Sequence, residues 1–306
     1  MNVREWALPV YTILMQLAVG AFFVLWLIRH LAGPKFSARE IDRIISNPIL
    51  VIAFTAAVAM GGAHFHLSKP FHSFLAVLNF KTSWLSREIV FTALFFLTTM
   101  SVVYLIYFQT HRRRLITGLG WLAILFGIIL IYCMARIYLI PTQVAWNSTS
   151  VIVSFYVTSL MLGGMTIASL LMLDLKFSEI KNAEDVELRT RVICHSYSGL
   201  SALNVILVVA SFVIVYIQIR LLAQGDLIAV TSLSLIVDLY LPLFLLRLIS
   251  LIYASGSLVF AVLRMYRRHS TPQSLMMPVY LSCLMILVGE IIGRFLFYAT
   301  HIRVGI

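Results

Sequence analysis

Long apolar runs separated by short polar stretches set the reading of this chain. Eight runs stand out, near residues 7–30, 48–66, 88–109, 117–139, 150–173, 196–221, 239–263 and 275–299, each rich in Leu, Ile, Val and Phe. About 20 mostly apolar residues carry a helix across a bilayer, and the runs meet that length. They do not alternate apolar with polar positions in ten-residue segments, as the strands of an outer-membrane barrel do. Prolines fall mostly at run ends: Pro9, Pro34, Pro48, Pro70, Pro141, Pro242 and Pro272, with Pro278 in the first turn of the last run. A proline there costs little, because its missing N–H would have no helical partner anyway. No proline is expected in the middle of a span. The pattern predicts an all-α integral membrane protein, a bundle of eight transmembrane helices forming one polytopic domain over residues 1–306.

Composition narrows the class further. Of the 306 residues, 61% are hydrophobic and 11% charged, with a mean hydropathy of +0.98. Soluble proteins have about 45–50% apolar and about 25% charged residues, so a soluble globular domain and a disordered chain are both excluded. At the start, Arg4 is followed at once by Glu5, and the run from Ala7 to Ile28 exceeds the roughly 7–15 apolar residues of a signal peptide. The first helix is therefore expected to be a retained span.

The net charge of +11 resides in short loops. Membrane topology and anionic lipid account for it better than nucleic acid does. Fourteen Lys and Arg lie in the odd-numbered loops: Arg29, Lys35, Arg39 and Arg43; Arg112–Arg114; Lys176, Lys181, Arg189 and Arg191; Arg264, Arg267 and Arg268. Six lie on the other side, and Arg136, Arg247 and Arg294 fall within spans. The positive-inside rule then predicts cytoplasmic odd loops and both termini outside. The second loop, 67–87, reads as a small outer lid, and the fifth, 174–195, as a solvated cytoplasmic connector.

Ionisable side chains inside spans cost about 2.5–3.5 kcal/mol each on insertion scales, so they mark where function is sought. One group lies at the outer end of the second and third helices, in GGAHFHLSKPFHSF and TSWLSREI. His64 and His66 are two apart and point in opposed directions on a helix. His66 ends its helix and Glu88 opens the next, and the intervening loop returns the chain to the same membrane edge. An imidazole there can accept a proton near neutral pH and a carboxylate can pass it on; interfacial His and Glu also simply cap helices or meet water. A second group is in GEIIGRFLFYATHI. Glu290 and Arg294 are four apart, share a helix face and can pair, either to fix packing or to serve a site. Tyr298 and His301 continue toward the outer surface. Arg136, near the outer end of the fourth helix, either snorkels to the headgroups or holds an anionic or carbonyl oxygen. Arg247 lies deeper, with no evident partner. Trp84 and Trp146 read as interface anchors.

Cys133, Cys194 and Cys283 form no C-x-x-C pair, so no disulfide framework, zinc site or iron–sulfur cluster is expected. No histidine is mid-span, which disfavours a bis-histidine haem. No Walker loop or G-x-G-x-x-G is present.

Several pieces, EWALPVYT with QLAVG, HLSKP, SREI, RIYLIPT with WNS, and GEIIGRFLFY, resemble the membrane anchor subunit of dimethyl sulfoxide reductase, the DmsC family, along nearly the whole chain. The resemblance implies a bacterial inner-membrane subunit that tethers a molybdopterin catalytic subunit and an iron–sulfur subunit. It implies oxidation of menaquinol near the periplasmic side, with electrons passing to the iron–sulfur partner. The family's quinol-site histidine and its acidic partner map onto His66 and Glu88. The last-helix match supports Glu290, Arg294 and His301 as further site or proton-path residues, while His64, Lys69 and Trp84 depart from the pattern. Competing readings are an anchor for tetrathionate, polysulfide or nitrite reduction, a passive anchor without a quinol site, and a secondary transporter. A transporter would need broken helices in matching halves. Gly163-Gly164 has no such counterpart and more simply lets helices approach closely.

Overall fold

The computed structural model describes residues 3–32, 36–66, 77–177, 183–268, 275–300 and 302. The described residues are largely helical and contain no strand. Eight long apolar helices match the eight predicted runs: α1 (Val3–Ala32), α2 (Ala38–His66), α3 (Trp84–Phe108), α4 (Arg113–Ile137), α5 (Thr149–Phe177), α6 (Ala183–Ala223), α8 (Leu241–Arg268) and α9 (Met276–Ala299). Between α6 and α8 lies a short helix, α7 (Leu227–Ser234), which runs into a single π-helical turn at Leu235–Leu239. Periodicity did not reveal it: the mostly apolar stretch Leu227–Leu239 is too short to cross a bilayer. Asp226 starts α7 by accepting the Ala229 N–H at 2.9 Å, the usual device for satisfying a first-turn amide.

Three boundaries differ from the hydropathy reading. α2 begins at Ala38, not near 48, so Pro48 sits inside the helix. Proline there removes one backbone hydrogen bond. Close by, Ser46 Oγ donates to the Arg43 carbonyl and Tyr107 Oη to the Ser46 carbonyl, the side-chain support such helices receive in lipid. α6 begins at Ala183, so most of the expected connector is helical; AEDVELRTR is too polar to register as a span, yet consists largely of residues a helix accepts. α3 gains a turn because Ser83 caps it, accepting the Ser86 N–H.

Helices α1 and α5 form the centre of the bundle and are mostly buried, whereas α8 and α9 present most of their surface outward. The α1–α5 contact depends on glycine. A methyl at Gly163 would overlap the backbone of Gly20, and one at Gly20 would overlap the Ser159 carbonyl. This is the close backbone approach expected of Gly163. Phe22, Leu25 and Trp26 on α1 and Phe155 on α5 fill the core around this crossing. Outward positions such as Phe54, Leu97, Ile206 and Ile249 are large and apolar, as lipid-facing positions require.

The alternating helices gather two ends. One carries the start of α1 and the end of α9, and is called here the terminal end. The opposite end is tied by Arg29, whose Nε donates to Asp42 Oδ1 at 2.8 Å and whose Nη1 donates to Thr117 Oγ1 at 3.1 Å. Asn47 Nδ2 donates to Asp174 Oδ1 at 2.8 Å across α2 and α5. Asp42→Ala strands a nearly buried guanidinium. It is expected to lower stability by about 3 kcal/mol, read as a drop in the melting temperature of the detergent-extracted protein.

Candidate functional site

Among the described residues, Glu88, Arg136 and the backbone of His64 and His66 belong to the terminal end. Glu88 lies one turn into α3 and is buried. Its carboxyl lies beside Tyr11 of α1, whose hydroxyl is 3.1 Å from that of Thr92. Thr92 is one helical turn beyond Glu88, so both face α1. The backbone of His66 closes α2 at this same end. Its side chain, like that of His64 and all of His301, lies outside the described residues.

Trp84 stands one turn before Glu88. Its ring receives the Arg87 guanidinium at 4.1 Å and that of Arg136 at 4.9 Å, with Tyr132 edge-on at 5.7 Å. Arg136 thus turns onto an aromatic face rather than simply reaching for headgroups. Its Nε is buried and has no hydrogen-bond partner. The two arginines stabilise the indole as cation–π partners, a more specific role than interface anchoring.

Past Glu88, hydroxyls continue toward α9. The Tyr298 and Tyr138 hydroxyls are joined by a short hydrogen bond, beside Thr12. The Tyr138 ring is buried beside Tyr298. Aromatic rings pack around it: Trp146 stacks on Phe297 at 5.2 Å and donates its Nε1 to the Phe297 carbonyl at 2.8 Å. Trp146 is half-buried and packs on the core from the loop between α4 and α5.

The expected Glu290–Arg294 pair is replaced by bonds to other helices. Arg294 Nη2 donates to Gln16 Oε1 at 2.7 Å, and its guanidinium lies 4.0 Å over Phe155. Glu290 Oε2 accepts from Thr158 Oγ1 at 2.6 Å, and Glu290 Oε1 lies 3.7 Å from Arg247 Nη2. Arg247 thus has a partner that its own stretch of sequence did not disclose. Side chains four apart share a face, but tilted packing against α1, α5 and α8 offers each a nearer counterpart. Gln16 is fully buried; it also donates to the Phe155 carbonyl at 3.0 Å, while its own carbonyl accepts from Ser159 at 2.8 Å. Glu290, Arg294 and Arg247 line a cavity of about 110 Å³ between α5, α6, α8 and α9. Glu88 does not line it.

A search for charges missed Tyr11, Gln16, Thr92 and Thr158. The available signal was uncharged polarity inside apolar runs, clearest in YTILMQLAVG, where a mid-span glutamine demands partners.

Eight apolar spans with buried acid, guanidinium and phenol groups gathered at one end define a polytopic helical membrane protein with a polar site at that end. The chain belongs to the DMSO reductase anchor subunit (DmsC) family, whose model matches residues 1–300. It is 25% identical over 311 residues to the YnfH polypeptide of an anaerobic dimethyl sulfoxide reductase of Escherichia coli K12, covering 99% of this chain and 96% of the relative. To the C polypeptide of the anaerobic dimethyl sulfoxide reductase of Haemophilus influenzae Rd it is 26% identical over 314 residues, covering 100% and 98%. To the C polypeptide of the Escherichia coli K12 enzyme it is 27% identical over 311 residues, covering 99% and 96%. It is a multi-pass protein of the bacterial inner membrane and a membrane anchor subunit.

Proposed function

We propose that this anchor subunit oxidises menaquinol at the terminal end of the bundle, on the periplasmic side. It passes two electrons to an iron–sulfur subunit docked there, which feeds a molybdopterin catalytic subunit. The observation that carries the reading is Glu88: a carboxyl buried in a span beside Tyr11, one helical turn from the Trp84–Arg136 contact. Such an expensive group needs a task, and quinol oxidation supplies one. Each quinol releases two protons and two electrons and becomes quinone. His66 accepts one hydroxyl proton, and Glu88 takes up the other and relays it to the outside. The unpartnered Nε of Arg136 suits the quinol oxygen. The names of the relatives favour dimethyl sulfoxide as final acceptor, a choice made in the catalytic subunit. Glu290 and Arg294, expected at the same site, line a separate chamber and take no part in this mechanism.

Glu88→Gln keeps the shape and removes the proton acceptor. Quinol-driven reduction by the assembled complex is expected to fall about a hundredfold. Reduction driven by a soluble dye that feeds the catalytic subunit directly is expected to stay at the wild-type rate. Unchanged quinol turnover in this variant overturns the assignment.

A further inference from the structure

The cavity between α5, α6, α8 and α9 has a floor unlike its walls. The floor consists of Thr158, Arg247, Glu290 and Arg294, and the walls include Ile214, Leu222 and Phe244. Its lip is at the terminal end, where Ala145, Leu222 and Thr300 stand at or beyond helix ends. The ionic floor carries two guanidiniums against one carboxylate, so one positive charge is in excess among the described lining residues. An uncompensated charge is costly at this depth. Three floor atoms also lack hydrogen-bond partners: Arg247 Nε, Arg294 Nε and Glu290 Oε1. Glu290 and Arg294 are both more than nine-tenths buried.

The floor is constructed rather than incidental. Arg247 lies against α9 at Gly293, where a methyl group would come within 2.6 Å of Arg247 Nε and push the guanidinium aside. Arg294 is held by Gln16 and the Phe155 ring. Arg294 is five residues from the end of α9 and Arg247 six from the start of α8. At 1.5 Å per residue this places them about 8 and 9 Å below the helix ends. The helices overrun a hydrocarbon core of about 30 Å, so the arginines lie just beneath its boundary, within reach of a headgroup drawn inward.

We propose that this chamber binds the headgroup of an anionic glycerophospholipid of the phosphatidylglycerol type. The phosphate carries the one negative charge the floor lacks and accepts from the free guanidinium N–H groups. The glycerol hydroxyls donate to Glu290 Oε1. The acyl chains follow the apolar wall toward the lipid-facing surface of α6 and α8. A neutral quinol head would leave the excess charge in place, and a zwitterionic headgroup would add no net negative charge.

The test uses the full-length protein, purified in neutral detergent, stripped of lipid, and melted with added phosphatidylglycerol, phosphatidylethanolamine or glycerol 1-phosphate. Phosphatidylglycerol is expected to raise the melting temperature by several degrees, and the other two to leave it unchanged. Gly293→Ala, which keeps every charge but displaces Arg247, and Arg247→Gln should each abolish the rise; Arg247→Lys should keep part of it. An equal rise with phosphatidylethanolamine, or a phosphatidylglycerol effect that survives both Gly293→Ala and Arg247→Gln, overturns the proposal. A rise reproduced by glycerol 1-phosphate alone assigns the floor to a soluble oxyanion and overturns the lipid. Mass spectrometry of the wild-type protein, purified before lipid stripping, gives an answer that does not depend on the variants folding: one retained phosphatidylglycerol per protein molecule is expected, and retention of phosphatidylethanolamine alone refutes the site. None of these readouts depends on quinol oxidation.

Discussion

His66→Ala is expected to lower quinol-driven reduction by at least about a hundredfold, the usual contribution of a positioned proton acceptor, while the complex still assembles on the membrane. The backbone places residue 66 at the last position of α2, at the terminal end of the bundle that also holds Glu88. Removing an imidazole at a helix end leaves the α1–α5 core untouched, so abundance of the subunit should not change. The measurement pairs two electron donors on the same membranes. A menaquinol analogue loses its rate, and a dye that reduces the catalytic subunit directly keeps it. Full quinol oxidation by His66→Ala would remove the histidine from the mechanism. Equal loss with both donors would show an assembly defect instead.

The largest effect on stability is expected from Gly163→Val. A methyl at this position already overlaps the Gly20 backbone, and backbone does not yield as a flexible side chain does. α1 and α5 would have to part, and with them the bonds Gln16 makes to Phe155 and Ser159 and the Arg294 contact that depends on Gln16. Overpacking alone costs about 1–3 kcal/mol, and the stranded buried polar groups add about 1–3 kcal/mol each. The expected result is little folded protein in the membrane fraction and no cooperative melt of what is extracted. Gly164→Ala is the control, because the nearest atom to a methyl there is Leu200 Cδ2 at 4.0 Å, an ordinary contact. A wild-type melt for Gly163→Val would mean that the two central helices do not touch as described.

Both results bear on what was legible in advance. Eight spans were readable because the cost of exposing a peptide group to lipid forces long apolar runs. The ends of those runs were less readable. α2 and α6 continue as helix beyond their apolar stretches, and hydropathy does not register a polar helix. The candidate rim was visible for a related reason: a charge among apolar neighbours is conspicuous in one dimension. Glu88, Arg136, Arg247, Glu290 and Arg294 all announced themselves in this way.

Their partners did not. Spacing along one helix offered Glu290 to Arg294, whereas crossing helices gave Glu290 to Thr158 and Arg247 and gave Arg294 to Gln16. The residues that finish the site, Tyr11, Gln16, Thr92 and Thr158, are uncharged, and most lie on other helices from the groups they serve. The amino-acid order by itself determined how many times the protein crosses the membrane and which end collects its costly side chains, because both follow from transfer energies summed along local stretches. Tertiary structure alone decided which donor meets which acceptor and where a cavity remains. Those depend on distances of a few ångströms between helices far apart in sequence, and no local pattern encodes them.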